Sequence, residues 1–339
     1  MKLFSCTTCG HAVHFQNSCC VRCGSALQFD PVTMLMTSQS AGLCRNGLEH
    51  LACNWTASED STEGYCIACE LNRTIPPLTS TRNAALWRTI QLDKNRLVYS
   101  FLRFGLPVIS QKTSEINGLA FDFLDAAAEP DQEVLTGHAR GLITLDIREA
   151  DDAHRESIRQ AMGEPYRTLL GHFRHESAHY FWDYLVKGTS WLEIVRQVFG
   201  DERSDYQLAL KTHYAQGAPL QWEERYISSY ATAHPWEDWA ETWAHYFHIV
   251  DTLESAAELG LTLDPTTGRS ISLPDPESFD AYRAHDFNVL IEKWAPLTVA
   301  LNMLNRSLGQ ADAYPFILTP SIIKKLATIH DIIVLCRSR

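Results

Sequence analysis

No stretch of this sequence stays apolar long enough to cross a bilayer as a helix, which removes an integral α-helical membrane protein from consideration. Positive charge is in the minority: 29 Lys and Arg stand against 41 Asp and Glu, a formal net charge of −12. A chain this acidic is repelled by nucleic-acid backbones and anionic lipid surfaces, so neither is an expected partner. The start, Met1-Lys2-Leu3-Phe4-Ser5-Cys6, reaches a cysteine pair before a signal-like apolar core can develop, and the expected location is cytoplasmic. A Gly-rich phosphate loop, coiled-coil heptads and internal repeats beyond the paired cysteines are also missing. What remains is a globular chain of 339 residues, 45% hydrophobic and 21% charged, sufficient for one large domain with an appendage or for two domains.

Cysteine is not scarce. In a reducing compartment ten cysteines point to zinc rather than disulfides. Cys6-x2-Cys9 and Cys20-x2-Cys23 are two short knuckles, each followed by a glycine (Gly10, Gly24) that permits the backbone to bend around an ion. A second set is Cys44, Cys53, Cys66 and Cys69, in which only the last pair has knuckle spacing. His11, His14 or His50 could replace a thiolate in either set; Cys19 and Cys336 are left as spare thiols. Residues 1–75 carry Lys2, Arg22, Arg45 and Arg73 against six acidic side chains, so this ribbon lacks the basic face that grips nucleic acid. A metal-stapled cap is its simplest role, and a docking surface for a protein partner the sharper one.

The stretch Glu164–Lys187 reads as a helix opened by Pro165 and stopped by Gly188. Tyr166, Leu169, Leu170, Phe173, Tyr180, Phe181 and Tyr184 recur at helical steps and predict one buried face. Within it lies His175-Glu176-Ser177-Ala178-His179, an H-E-x-x-H motif. Residues four apart on a helix point the same way, so both imidazoles can reach one tetrahedral zinc, with Glu176 beside it as general base. Such a site needs a third protein ligand. Ile227–Asp251 predicts another helix, opened by Pro235, with Trp236, Trp239, Trp243 and Phe247 in its buried stripe. Glu237, Glu241, His245 and His248 share a second face, and this helix is expected to complete the site.

Elsewhere, Ile75–Ser80 reads as a linker, followed by a helix from Thr81 to about Gly105. Gly118–Leu124 and Gly141–Ile147 read as strands separated by Glu129-Pro130-Asp131, and Leu142–Ile147 is a candidate edge for an extended peptide. A short helix leads to Gly163, another spans Thr189–Phe199, and a turn-rich loop covers 264–276. Ser278–Trp294, Leu297–Leu308 and Ser321–Leu335 give a helical C-terminal half.

The combination of His172-Phe173-Arg174-His175-Glu176-Ser177-Ala178-His179-Tyr180, the stretch from Ser229 to Tyr246, and the Cys-rich start resembles a bacterial family of zinc-binding metallopeptidases carrying a zinc ribbon. Nearly the whole chain takes part in the resemblance. The two site stretches are also similar to the gluzincin class, anthrax lethal factor included. That resemblance implies Glu237 as the third ligand, Glu241 as a carboxylate orienting an imidazole, and Tyr230 as hydrogen-bond donor to the transition state. Asp183, one turn beyond His179, is a further candidate for orienting a ligand.

The expected fold is α+β and mainly α: a zinc-ribbon region with two four-cysteine sites over 1–75, then a gluzincin-like zincin domain over 76–339 with a small sheet and a helical C-terminal half. One catalytic and two structural zinc ions are implied, with a peptide or protein substrate. A zinc-stabilised interaction module and a zinc hydrolase of a non-peptide amide are the competing readings.

Overall fold

The fold was taken from a computed structural model that describes residues 1–38, 42–126, 134, 136–162, 167–263, 271–272 and 279–337. The chain divides into two compact units, Lys2–Tyr180 and Phe181–Arg339 together with Met1. An N-terminal ribbon precedes a mainly helical α+β region, as the sequence predicts.

In the N-terminal unit β1 (Phe4–Ser5) pairs with β2 (Ala12–Val13), and β3 (Gln28–Asp30) pairs with β4 (Leu35–Thr37), both antiparallel. After Cys6 and Cys20 the backbone turns back, Gly10 and Gly24 donating to the carbonyls of Cys6 and Cys20 at 2.8 and 2.9 Å. Both glycines sit at φ near +70° (69° and 73°), a conformation that penalises any Cβ. These turns bring the Cys6, Cys9, Cys20 and Cys23 sulfurs within 4.8 Å of one another, and the Cys6–Cys23 and Cys9–Cys20 separations are each 3.7 Å. Sulfurs at the corners of a tetrahedron about 2.3 Å from a zinc ion lie about 3.8 Å apart, so the set fits that ion.

The second set, Cys44, Cys53, Cys66 and Cys69, converges equally well and is entirely buried, with Cys53 and Cys66 3.7 Å apart. α1 (Arg45–His50) follows the first of these cysteines, and a 3-10 turn at Cys69–Leu71 begins at the last. The four thiols cannot ionise together without a cation. Hydrogen bonds from Cys53, Cys66 and Cys69 push the Cys44 thiol down, whereas burial pushes Cys53 and Cys66 up. The Asn95 side chain and the Trp55 amide both donate to the Cys53 sulfur at 3.5 Å. Lys94 is fully buried close by, its Nζ donating to the Ala68 carbonyl at 2.7 Å and to the Asn72 side chain. Among the described residues neither group includes an imidazole: His11, His14 and His50 are not in the sets the structure assembles.

Asn95 and Lys94 belong to α2 (Thr81–Phe104), capped by the Ser80 hydroxyl and ended by Gly105. Tyr99 of the same helix joins Phe15, Phe29 and Trp55 of the ribbon in one aromatic cluster, with Phe29–Trp55 and Phe15–Tyr99 centroids 4.8 and 5.2 Å apart. The ribbon region also supplies β5 (Asn72–Thr74) to a sheet of order β5-β6-β8-β7, with β6 Ala120–Leu124, β7 Gly137–Ala139 and β8 Leu142–Asp146. The Pro-rich stretch after β5 therefore joins two parts of one packed unit. β8 runs parallel to β6 and antiparallel to β7. β7 pairs with Leu142–Thr144, so the edge expected at Leu142–Ile147 is covered over those residues, and among the described residues the outer strands of the sheet are β5 and β7. α3 (Asp152–Met162) follows, then α4 (Leu169–Leu185).

α4 carries the H-E-x-x-H motif and begins later than the sequence suggests. The Thr168 hydroxyl accepts from the Gly171 amide at 2.9 Å, the mark of an N-cap. Gly163, Pro165 and Tyr166, like Glu129–Asp131 and most of 264–276, lie outside the described residues. Phe173 packs edge-on against Phe121 and Phe123 of β6 at 5.7 and 6.2 Å, seating the helix on the sheet. Tyr184, expected in the buried stripe, is 38% exposed.

The C-terminal unit is built around α7 (Pro235–Glu258). Trp239, Trp243 and Phe247 form a continuous aromatic ridge along it, met by Phe199 of α5 (Trp191–Phe199). α6 (Tyr206–Gln216), which no periodicity announces, has no buried residue and is capped by Asp205. β9 (Thr262–Leu263) and β10 (Ile271–Ser272) pair antiparallel. The two helices expected between 278 and 308 are one, α8 (Phe287–Ser307), capped by Asp286 and containing Pro296. Proline removes one amide donor from a helix without obliging the helix to end, and this one continues through it. α9 (Pro320–Arg337) completes the unit, Tyr246 and His330 joining α7 to it at 2.9 Å. Among the described residues no helix is long and apolar enough to cross a membrane.

Two measurements test this packing. Cys66→Ser should release about one zinc per chain and lower hydrogen-exchange protection in α2 and the sheet, because the second set lies inside the core. Cys23→Ser, at the exposed corner of the first set, should confine its damage to the first 38 residues. Loss of protection in α2 from the Cys23 variant alone would contradict this assignment.

His245 offers a pH test. Burial pushes its imidazole down to about 4 from 6.5, so the folded state holds it neutral. Between those values the unfolded chain binds the extra proton, and stability is lost as pH falls from 6.5 towards 4. The loss is on the order of 3 kcal/mol. His245→Gln should flatten the dependence of melting temperature on pH in that window; an unchanged slope would rule the imidazole out as its source.

Candidate metal centre

The four-residue spacing puts His175 and His179 on one face of α4, with ring centroids 5.1 Å apart and rings nearly perpendicular. Both are buried, as is Glu176 between them. Burial alone would push the Glu176 carboxyl up; contact with His172 and the charge of the surrounding imidazoles hold it down to about 2. It is ionised at neutral pH, the state in which a carboxylate can accept a proton.

The sequence reading missed what stands behind Glu176. His172, one turn earlier on the same face, has its Nε2 3.4 Å from Glu176 Oε1 and its Nδ1 3.7 Å from Glu149 Oε2. The other Glu149 oxygen pairs with Arg167 at 3.2 Å. Burial would lower the His172 pKa, yet the two carboxylates raise it to about 9. Glu149 itself is held down to about 2, burial being outweighed by His172 and Arg167. A histidine four residues before the motif glutamate was the available sequence signal; Glu149, far back along the chain, had none. His138 of β7 was missed as well. Its ring stacks on His179 at 6.2 Å, and its Nε2 accepts from the Gly141 amide at 2.9 Å.

In the C-terminal unit, the last turns of α4 pack on the first half of α7. Phe181 stacks on Trp243 at 5.2 Å, and Trp182 meets Trp236 edge-on at 6.4 Å. Glu237 follows Trp236, is 1% exposed, and has its Oε1 fixed by the Tyr206 hydroxyl at 2.7 Å. His175, His179 and Glu237 are thus all buried residues offering donors that zinc takes.

The competing donors on α7 are engaged elsewhere. His234 Nδ1 caps the helix through the Trp236 amide, while its Nε2 faces Ser204 at 3.0 Å. Asp238 forms a fully buried pair with Lys325 at 2.6 Å, and burial nonetheless pushes its carboxyl up to about 7. His245 Nδ1 meets the Tyr314 hydroxyl at 2.8 Å. Glu241 accepts from Ser228 at 2.5 Å, and Ser228 in turn accepts from the Ala231 amide. This ties the 3-10 turn carrying Tyr230 to α7. Tyr230 itself lies against His213, with ring centroids 5.9 Å apart. Asp183 does not serve the role suggested for it: its carboxylate forms a half-exposed surface pair with Lys187 at 2.9 Å, the next turn of the chain.

Two proteins of Mycobacterium tuberculosis strains and one of Mycobacterium bovis, each named an uncharacterized protein, are 42% identical over 341 residues. The alignments cover 98% of this chain and 95% of each relative. No solved structure matches the chain significantly. Residues 3–80 match a zinc-ribbon domain, in keeping with the two four-cysteine sets. Residues 83–332 match the family described as "Putative zinc-binding metallo-peptidase", and the chain belongs to that family.

Proposed function

We propose that this chain is a zinc-dependent peptidase in which His175 and His179 of α4 and Glu237 of α7 hold the catalytic ion and Glu176 is the general base. The observation that carries the reading is α4 itself, which buries two imidazoles one turn apart with an ionised carboxylate between them. Two imidazoles and one carboxylate make a three-ligand set that leaves a coordination position open, as catalytic zinc requires. Glu237 is favoured as the third ligand because His234, Asp238 and His245 are each committed to other partners and Tyr206 orients the Glu237 carboxylate.

Zinc bound there would supply Lewis acidity, making water a better acid at neutral pH and polarising a carbonyl. Glu176 accepts the proton of the attacking water and returns it to the leaving amine. Tyr230 donates a hydrogen bond to the developing oxyanion. Glu241 keeps the Tyr230 turn in place through Ser228. In this reading residues 1–75 form the ribbon and 76–339 the peptidase domain, with a peptide or protein as substrate. A pure interaction module has no use for a buried, ionised general base.

A proteome-derived peptide library, digested with and without chelator and read by mass spectrometry, tests the activity. Chelator-sensitive cleavage is expected; no cleavage by the zinc-loaded protein would sink the peptidase reading. Glu176→Gln should retain zinc and lose about 100- to 10,000-fold in turnover. Tyr230→Phe should likewise keep its zinc and lose turnover, by roughly 100-fold. Glu237→Ala should release one zinc, whereas Glu241→Ala should cost about 10- to 100-fold in affinity or activity. The reverse ranking of these two would place the ligand on the wrong turn of α7.

A further inference from the structure

We propose that His172, backed by Glu149 and Arg167, is a positioning residue that fixes the carboxylate of Glu176 for proton transfer. The proposal rests on the general-base reading of Glu176 and extends it to three residues that take no part in holding zinc.

A glutamate has three rotatable side-chain bonds, and ordering it costs rotamer freedom. A base must hold one oxygen towards the proton it accepts, so something has to limit that freedom. His172 is placed to do so, its Nε2 facing Glu176 Oε1 at 3.4 Å across one helical turn. That contact occupies one oxygen and leaves the other to take the proton.

The imidazole is in turn held from its far edge. Glu149 Oε2 lies 3.7 Å from Nδ1, so both ring nitrogens face a carboxylate and the imidazole sits between two negative charges. Glu149 is anchored to the sheet rather than to the helix. It sits in the 3-10 turn Ile147–Ala150 directly after β8, a turn capped by Asp146 through the Arg148 amide at 2.9 Å. Arg155 donates to the Glu149 carbonyl at 2.7 Å, and Arg167 pairs with its carboxylate. All four members of the chain are half-buried or buried, and Glu149 and Glu176 are each 6% exposed. An ionic chain of this kind is costly to bury unless opposite charges lie close together; His172 Nδ1 and Glu149 Oε2, 3.7 Å apart, share no hydrogen bond, so that link is held by charge alone. The route therefore runs from the end of β8, through Glu149 and His172, to the base. The relay does not transfer the proton; it aims the group that does.

Two readouts test the assignment, one independent of turnover. In long-range 1H–15N spectra of the zinc-loaded protein, Glu176→Gln should shift the His172 Nε2 resonance and Glu149→Gln its Nδ1 resonance. Unmoved ring resonances in both variants would overturn the proposal. With a peptide found in the library digestion, His172→Ala should lower kcat about 10- to 100-fold at unchanged KM and zinc content. His172→Gln, which keeps a donor near the Nε2 position, should recover most of that loss.

Adding His172→Ala to Glu176→Gln should cost nothing further, because His172 acts through Glu176; an additive loss would instead mark a structural role and overturn the proposal. Should His172→Ala fail to fold, Glu149→Gln carries the test, and a wild-type kcat there overturns it. Full turnover in Glu176→Gln alone would remove the base assignment and this proposal together. An impaired Glu176→Gln beside an unimpaired His172→Ala would remove only the role of His172.

Discussion

Burying ionised groups on α4 is the constraint that the rest of the site depends on. A helix that must present two imidazoles and a carboxylate away from water pays desolvation on each of them, and only close partners offset it. Glu176 is met by His172, His172 by Glu149, and Glu149 by Arg167. Since Glu149 follows β8 directly, the chain of charges needs a rigid sheet end to fix it. The parallel pairing of β6 with β8 provides that end, and Phe173 seats the helix against it.

The second four-cysteine set poses the same electrostatic problem with a different answer. Four thiolates outweigh the charge of one zinc ion, and this set lies wholly inside the core. Lys94 is buried nearby, its charge favoured by the thiolates while burial pushes its pKa down. Asn95, the Trp55 amide and the Cys69 amide add hydrogen bonds to the sulfurs. Because both α2 side chains face this set, the metal site and the helix stabilise each other. The first set has Cys23 exposed and leans instead on the Phe4–Phe15–Phe29 aromatic cluster.

In the C-terminal unit the crowding of donors around Glu237 is resolved by partners distant in sequence. Lys325 takes Asp238, Tyr314 takes His245, and Ser204 takes the outer nitrogen of His234. Tyr206, at the start of a helix with no buried residue of its own, reaches Glu237. None of these pairings is local in the sequence.

Sequence alone determined whatever depends on short-range periodicity. Knuckle spacing with a following glycine fixed the first four-cysteine set, because both the turn and the ligand pair lie within a few residues. The helical repeat put His175, Glu176 and His179 on one helix, and Pro235 marked the start of α7. Periodicity could not reveal α6, whose faces are all exposed, or the unbroken path of α8 through Pro296. Pairings across long separations were decided by the tertiary structure: β7 covering the expected edge at β8, Lys94 beneath the second four-cysteine set, and Glu149 behind His172. Even the short-range choice of Asp183, drawn to the surface by Lys187 rather than turned to a ligand, was settled by which face of α4 the fold buries. A buried charge takes whichever counter-charge the fold brings within a few ångströms, and sequence separation says nothing about that distance.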